Sequence, residues 1–409
     1  MKDNKPQQPK RGAPDFQLLI LTLLLVGFGL VMVFSASSSV AVVNARFNYD
    51  ALYFTKKQLL WAFLGLIGMF IAMNIHYSKY KKLFIPVFIV TIIMLVMVAG
   101  MGSRVNGARS WFNIGTLGIQ PTELAKIATI LYLSALITKK GERFRDLRKG
   151  YIPVMLIVGI VAGLIMLQPD FGSCAILVAT CGLIVFAGGA SIKHIAGSIG
   201  ILLLGAAIVL GANALIGSVT GKDQKAAEGS YKMGRIQAFL NPWDDAQGTG
   251  YNVIQSMIAI GHGGVTGAGF GQSIQKLHYL PNPFNDFIFS VIGEEFGFIG
   301  TTIFLLFYGY FIWRGLIVAL RCPDSFGTLV GVGIMGLIAI QAFINIGGVT
   351  NTIPITGVTL PFISYGGSSL LVMMVSMGIM LSISREYNHP MRQEKTKSVV
   401  VKKDYKAHL

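Results

Sequence analysis

Six ionisable side chains stand inside or at the ends of long apolar runs: Glu123, Lys126, Asp170, Asp286, Glu294 and Glu295. A charge at the centre of a membrane helix costs about 2.5–3.5 kcal/mol on insertion scales, so each is a candidate for function by default. Glu123 and Lys126 are three residues apart and share a helix face. They either neutralise one another as a structural pair or present charge to a ligand. Asp170 follows Gln168-Pro169, where proline interrupts helical bonding, and it fits either the N-cap of the next helix or the rim of a polar site. Glu294 and Glu295 are adjacent, and successive helical residues point about 100° apart, so the two need different surroundings. At least one needs a structural partner such as a hydroxyl or a cation.

Asp286 opens an apolar run directly after a long polar segment, in Tyr279-Leu280-Pro281-Asn282-Pro283-Phe284-Asn285-Asp286-Phe287-Ile288-Phe289. It can cap the helix that follows, and so can Asn285. A carboxylate at the boundary of water and lipid is also placed to act as a general base, because partial desolvation raises its proton affinity. A second irregular stretch runs from Ile353 to Ser369, with prolines at 354 and 361 and the pair Gly366-Gly367. It cannot form one continuous helix. Non-helical backbone at membrane depth is tolerated where it is buried in protein or lines a wet cavity, so the pattern predicts a re-entrant segment beside a polar site. The alternative is a tight external turn with Ser368 capping the last helix.

The elements that must position these groups are transmembrane helices. Of 409 residues 53% are hydrophobic and 13% charged, well below the roughly 25% charged of soluble domains. Runs of about the 20 residues that a span needs occur at 17–36, 58–75, 83–100, 123–138, 151–168, 173–190, 195–216, 286–313, 327–349 and 367–384. The predicted fold is all-α and polytopic, with about ten transmembrane helices. The net charge of +16 does not imply nucleic acid, because with a cytoplasmic N-terminus the inner segments hold 23 of the 34 Lys and Arg. That asymmetry is the positive-inside pattern and places both termini in the cytoplasm. Three cysteines, Cys174, Cys181 and Cys322, lack metal-ligand spacing and read as packing residues. The first apolar run is too long for the core of a cleaved signal peptide and reads as an anchor.

Two outer segments break the pattern of short connections, 101–122 and 217–285. The longer one carries amphipathic stretches at Met233 to Phe239 and 253–260, and a basic group of Lys222, Lys225, Lys232 and Arg235 suited to a pyrophosphate-bearing lipid or an acidic partner surface. It is expected to fold over the mouth of the cavity. The predicted domains are a cytoplasmic segment 1–16, a transmembrane domain 17–385 containing the extracellular loop 217–285, and a basic cytoplasmic tail 386–409.

From about Phe16 to Arg385 the chain resembles the SEDS family (shape, elongation, division and sporulation). The likeness is carried by Asn106-Gly107-Ala108-Arg109-Ser110-Trp111, Gln120-Pro121-Thr122-Glu123-Leu124-Ala125-Lys126, Gln168-Pro169-Asp170-Phe171-Gly172, Asn241-Pro242-Trp243-Asp244-Asp245, Gln255-Ser256, Gly263-Gly264, Asp286-Phe287-Ile288-Phe289 and the run Leu360 to Ser369. Within the family it looks most like the FtsW and SpoVE branch. Five positions depart from the family's usual residues: Asn282 stands for Glu, Phe284-Asn285 for His-Thr or Gln-Thr, Asn252 for Gln and Asn351 for Gly.

The resemblance implies a peptidoglycan glycosyltransferase of the bacterial cytoplasmic membrane. Such an enzyme uses lipid II, the undecaprenyl-pyrophosphate-linked disaccharide peptide, beside a class B penicillin-binding protein transpeptidase and other divisome or septal proteins. Carried over by motif, Asp286 matches the family's catalytic aspartate. Arg109, Glu123, Lys126 and Asp170 match polar residues of its central cavity, Lys57 matches a basic position at the start of the second span, and Ser364 and Ser368 belong to the Ser-Tyr-Gly-Gly-Ser motif. Arg109, Lys126 and Lys57 would then stabilise the leaving pyrophosphate, with or without a divalent cation such as Mg or Mn, and the sequence shows no dedicated metal cage. Two other classes suit the same architecture: a flippase or carrier for lipid II, and a non-catalytic scaffold for the transpeptidase.

Overall fold

The computed structural model describes residues 12–105, 108–114, 117–201, 234–235 and 237–387. Helices run over Phe16–Val42 (α1), Tyr53–Asn74 (α2), Tyr77–Met101 (α3), Pro121–Lys140 (α4), Ile152–Met166 (α5), Phe171–Ala187 (α6), Tyr251–His262 (α7), Ile288–Leu320 (α8), Ser325–Val349 (α9) and Gly367–Tyr387 (α10). All but α7 fall on expected spans. The expected span 195–216 lies mostly outside the described residues, as do most of 1–16 and the tail from 388. Among the described residues seven helices are long and apolar enough to cross a membrane, fewer than the ten expected. Of the other three, α6 has only 17 residues, α4 carries Glu123, Lys126, Lys139 and Lys140, and 195–216 lies mostly outside the described residues.

The bundle sorts its helices by polarity of surroundings. α9 and α10 bury most of their side chains, and α10 packs along α2 while α9 lies against α4, α6 and α8. By contrast α3 buries only Tyr77, Thr91, Leu95 and Val98. Its Ile85, Ile89 and Ile93 recur at helical spacing and stay about half exposed. Such an apolar stripe is what a helix at the lipid boundary presents.

The helical fold expected from sequence carries one short addition. Between α3 and α4 lies a three-stranded antiparallel sheet, Ser103–Val105 (β1), Ala108–Ile114 (β2) and Leu117–Ile119 (β3). Arg104 pairs with Arg109 and Phe112 with Ile119. The signal was present in Asn106-Gly107, the dipeptide favoured in two-residue hairpins. It was hidden because the strands are three to seven residues long and flanked by apolar helices.

The segment after α7 folds back on α8, which is broken at Gly297 (φ 62°, ψ −166°), a conformation open to glycine and costly for other residues. The break strands backbone groups of α8, and the neighbouring glycine-rich segment satisfies them. Ala268 N and Gly269 N donate to the carbonyls of Glu294 and Glu295 at 2.9 and 3.0 Å, while Phe298 N and Ile299 N donate to those of Gly264 and Val265 at 2.9 and 3.1 Å. Broken helices in membranes persist through such substitution.

The two adjacent carboxylates of α8 fix the same segment from different sides. Glu294 accepts from Ser273 Oγ, from the amide of Ile274 at 3.0 Å and from His262 Nδ1 at 3.0 Å. Glu295 pairs with Lys276 at 2.7 Å and accepts from Ser35 Oγ of α1 at 2.6 Å. Both glutamates are thus structural anchors of the stretch that delivers Asp286, which answers the expectation that at least one would find a partner. Lys276, 4% exposed, is a buried cation that the sequence reading did not single out.

Candidate active site

Asp286 does not cap α8. The helix begins at Ile288, two residues later than expected; its N-cap position is Phe287, and no side chain bonds there. Asn285 is no substitute, because its Oδ1 is buried without a hydrogen-bond partner among the described residues. The carboxylate therefore has no capping task. It lies half-buried in a turn, in a small cleft lined by Phe287, Asn345, Gly348, Ile355, Thr356, Gly357 and Val358 among others. Burial pushes its carboxyl up to about 6, against smaller opposing pulls from its own backbone N–H and from the Arg235 guanidinium.

The facing wall is the non-helical stretch between α9 and α10. Leu360 to Ser364 are buried, so the middle of this stretch is embedded in protein, while 353–359 are half-buried or exposed. Gly357 has φ +76°, a conformation open to glycine, and lies beside the carboxylate, since a Cβ there would make ordinary contact with Asp286 Oδ2 at 3.8 Å. Two amides one helical turn apart on α9 hold the wall in place. Asn345 Nδ2 donates to the carbonyls of Asp286 and Val358, each at 2.7 Å. Gln341 Nε2 donates to Thr359 O at 3.1 Å.

Gln341 also ties this wall to the charged pair of α4. Lys126 Nζ reaches Glu123 Oε1 at 2.8 Å and Gln341 Oε1 at 3.1 Å, and Ser369 Oγ of α10 donates to Glu123 Oε2 at 3.3 Å. Lys126 is 2% and Glu123 5% exposed. The pair is enclosed and bonded to α9 and α10, so it acts on the cleft through Gln341 and the 358–359 wall. Asp170 is the N-cap of α6, accepting from Ser173 N at 2.9 Å and from Gln120 Nε2 at 3.4 Å. Two residues on, α6 abuts the same wall, where a Cβ on Gly172 would come within 2.7 Å of Val358 Cγ2.

The remaining expected residues sit further round. Lys57 donates to Tyr53 Oη at 2.7 Å and lies over that ring. Tyr53 belongs to an aromatic cluster with Phe47, Phe54, Phe284 and Tyr365, in which Phe54 and Phe284 have centroids 4.3 Å apart. Phe284, where the family usually has a polar residue, thus joins the aromatic core, and its carbonyl accepts from Tyr365 N at 2.8 Å. Ser364 Oγ accepts from Leu360 N at 2.8 Å and closes the wall's turn, while Ser368 is buried with no partner for its hydroxyl among the described residues. Arg109 lies on β2. Of the expected basic group, Lys222, Lys225 and Lys232 lie outside the described residues. Arg235 is described, and its Nη1 donates to the carbonyls of Ile355 and Thr356, both at 3.3 Å.

The described part of the long loop closes against this end of the bundle. Ser256 Oγ of α7 donates to Val349 O and meets Ser290 Oγ, both at 2.6 Å, and Asn351 Nδ2 reaches Phe239 O at 3.3 Å. Sequence reasoning passed over Gln341 and Asn345, and had Arg235 only as one of a basic group. The first two were legible as amides at i, i+4 in an apolar span, where polar side chains bond between elements. Among the described residues no three His, Cys, Asp or Glu side chains converge as a metal site would require.

A multi-pass helical membrane protein with a broken helix, a non-helical wall and a single carboxylate in the cleft between them is the class that fold and site define. Residues 16–389 match the cell cycle protein family of FtsW, RodA and SpoVE, and the chain belongs to that family. It is 42% identical to stage V sporulation protein E of Bacillus subtilis (strain 168) over 379 residues, covering 92% of this chain and 98% of the relative. It is 38% identical to the probable peptidoglycan glycosyltransferase FtsW of Geobacter sp. (strain M18) over 372 residues, 90% and 96% of the two chains. Among solved structures, a chain of a peptidoglycan synthase complex that coordinates polymerization and crosslinking superposes with a TM-score of 0.72 at 29% identity, covering 92% of this chain and 98% of that one. Thermus thermophilus RodA gives 0.64 at 28% identity, covering 91% and 97%.

Proposed function

We propose that the protein polymerises glycan strands from lipid II at the outer face of the bacterial cytoplasmic membrane, with inversion at the donor carbon. The observation that carries this reading is Asp286: a half-buried carboxylate, relieved of capping, in a cleft whose opposite wall is held by dedicated amides. Its raised proton affinity suits a general base working near neutral pH. Asp286 takes the proton of the acceptor sugar's 4-hydroxyl as that oxygen bonds to the donor's anomeric carbon. The bond from that carbon to the pyrophosphate breaks, and undecaprenyl pyrophosphate leaves. Cationic donors stabilise the departing charge.

The likeness to a chain of a peptidoglycan synthase complex supports a class B penicillin-binding protein as partner, and relatives named for division and sporulation support a septal site of action. The test is polymerisation of lipid II by the purified protein, alone and with the transpeptidase, using Asp286→Asn as control. Glycan strands from wild type and none from the variant are expected. Movement of lipid II across a vesicle membrane without polymer would replace this reading with a flippase, and neither activity would leave a scaffold.

A further inference from the structure

Gln341 and Asn345 stand one turn apart on α9 and both brace the wall facing Asp286, yet they use the two ends of their amides differently. Gln341 is bonded at both: its Nε2 donates to Thr359 O at 3.1 Å, and its Oε1 accepts from Lys126 Nζ at 3.1 Å. Asn345, 3% exposed, donates twice from Nδ2, to Asp286 O and Val358 O, each at 2.7 Å. Its Oδ1 is buried with no hydrogen-bond partner among the described residues. The neighbours fix the orientation of this amide, because a flipped group would set its own oxygen against two carbonyl oxygens. Leaving a buried acceptor unbonded forfeits its hydration without replacement. A brace for two carbonyls needs only donors, so bracing accounts for the nitrogen of Asn345 and not for its oxygen.

The chemistry of the surroundings says what would satisfy that oxygen. Asn345 and Gly348, three residues apart on one face of α9, line the cleft that holds the Asp286 carboxylate. An amide oxygen only accepts hydrogen bonds, and so does an ionised carboxylate. Two such groups bordering one cleft repel a phosphate or any other anion, and they suit a ligand that presents two donors side by side. Neighbouring hydroxyls of a sugar ring are donors of this kind. The cleft is small, so it takes the hydroxyl-bearing edge of a ring and not the whole ring. Polymerisation brings such an edge here: the 4-hydroxyl of the acceptor sugar gives its proton to Asp286, and the next ring carbon carries the 3-hydroxyl.

We propose that Asn345 is a substrate-binding residue whose Oδ1 accepts a hydrogen bond from the 3-hydroxyl of the acceptor sugar while Asp286 takes the proton of the 4-hydroxyl. The inference rests on the polymerase reading given above. One hydrogen bond to Asp286 leaves the ring free to turn. A second from the adjacent carbon removes that freedom and holds the 4-oxygen toward the donor's anomeric carbon. Because the same side chain bonds the backbone of Asp286, base and contact keep a fixed separation. The contact also sets specificity: a sugar whose 3-oxygen carries a substituent has no proton to offer, leaves Oδ1 unbonded and is refused as acceptor.

The test uses the full-length protein and forms a single bond. The donor is lipid II lacking its own 4-hydroxyl, and the acceptor is the same disaccharide on an ether-linked lipid that cannot leave, supplied intact, 3-deoxy or 6-deoxy. With wild type, kcat/KM should be at least about tenfold lower for the 3-deoxy acceptor than for the intact one, and little changed for the 6-deoxy acceptor. Asn345→Ala and Asn345→Ser should be slower with every acceptor and should not distinguish intact from 3-deoxy. That ratio does not depend on how much protein is folded, since both acceptors meet the same enzyme. Gln341→Ala, which disturbs the wall alone, should lower both rates and keep the wild-type ratio. If Asn345 only braces the wall, its variants will behave as Gln341→Ala does, and that result overturns the proposal. A wild type that uses the 3-deoxy acceptor as readily as the intact one overturns it without any variant, and so does a penalty confined to the 6-deoxy acceptor. Coupling of the intact acceptor by wild type, with none by Asp286→Asn, upholds the function whatever the ratio, so failure of this contact and failure of the polymerase reading are distinct results.

Discussion

Replacing Asp286 by Asn removes the proton acceptor and keeps the shape, and the structure predicts opposite effects on activity and stability. As general base its loss should lower polymerisation by about 10²–10⁴-fold. In the wild type a carboxyl at about 6 is roughly one-tenth ionised at pH 5 and nine-tenths at pH 7, so the rate should rise about tenfold across that interval and then level. The stability effect has the reverse sign. An ordinary carboxyl titrates near 4 when the chain is unfolded, so the raised folded value means that Asp286 contributes stability fully below about pH 4 and loses it as pH rises through about 6. The amide that replaces the carboxylate has no charge to bury. At pH 7.5 Asp286→Asn should therefore match or exceed wild-type stability, by about 1–3 kcal/mol after allowing for solvent at the half-buried site. A helix cap behaves otherwise: Asp286→Ala would cost about 1 kcal/mol. The measurements are lipid II polymerisation from pH 5 to 8 and thermal melting of both variants in the same detergent. Retained polymerisation by folded Asp286→Asn, or a clear loss of stability in Asp286→Ala at pH 7.5, would refute this account of the carboxylate.

Lys126→Ala strands Glu123 inside the bundle and should cost about 3–5 kcal/mol; adding Glu123→Gln should recover melting temperature but not polymerisation, because Gln341 still lacks the cation that orients it. Recovery of both would make the pair a structural element only. Lys276→Met leaves Glu295 uncompensated against Ser35 and should loosen the segment that carries Asp286, seen as faster proteolysis within 263–285; an unchanged cleavage rate would show that the backbone pairs across Gly297 suffice. A deletion within 219–230 should be tolerated, whereas Trp243→Ala with Asp244→Ala should reduce polymerisation, since Asp244 bonds Asn241 at 2.6 Å and fixes the turn before α7. Equal activity in the two variants would end the idea that this loop covers the cleft.

Sequence patterns were sufficient for what local chemistry dictates. Apolar length marks the helices, and the prolines and paired glycines of 353–369 foretell a non-helical stretch. Asp286 was legible as a carboxylate at a helix start, but capping and catalysis place the same residue type there, and only the chain's path through Phe287 separates them. Long-range partnership is different in kind. Nothing local says that Glu294 and Glu295 anchor residues 262–276, because that depends on a break at Gly297 letting distant backbone replace helical bonds. Nothing local says that Lys126 would be bonded to Gln341, 215 residues away. Arg235 illustrates the same limit more sharply: in sequence it is one of four cations on a polar loop, and in the fold it bonds the carbonyls of Ile355 and Thr356 in the wall facing Asp286. The functional elements therefore share one construction, in which residues scattered from α4 to α9 act on a single segment, 355–359. Mutations that shift that segment without touching Asp286, such as Gln341→Ala, should impair polymerisation as surely as loss of the base itself.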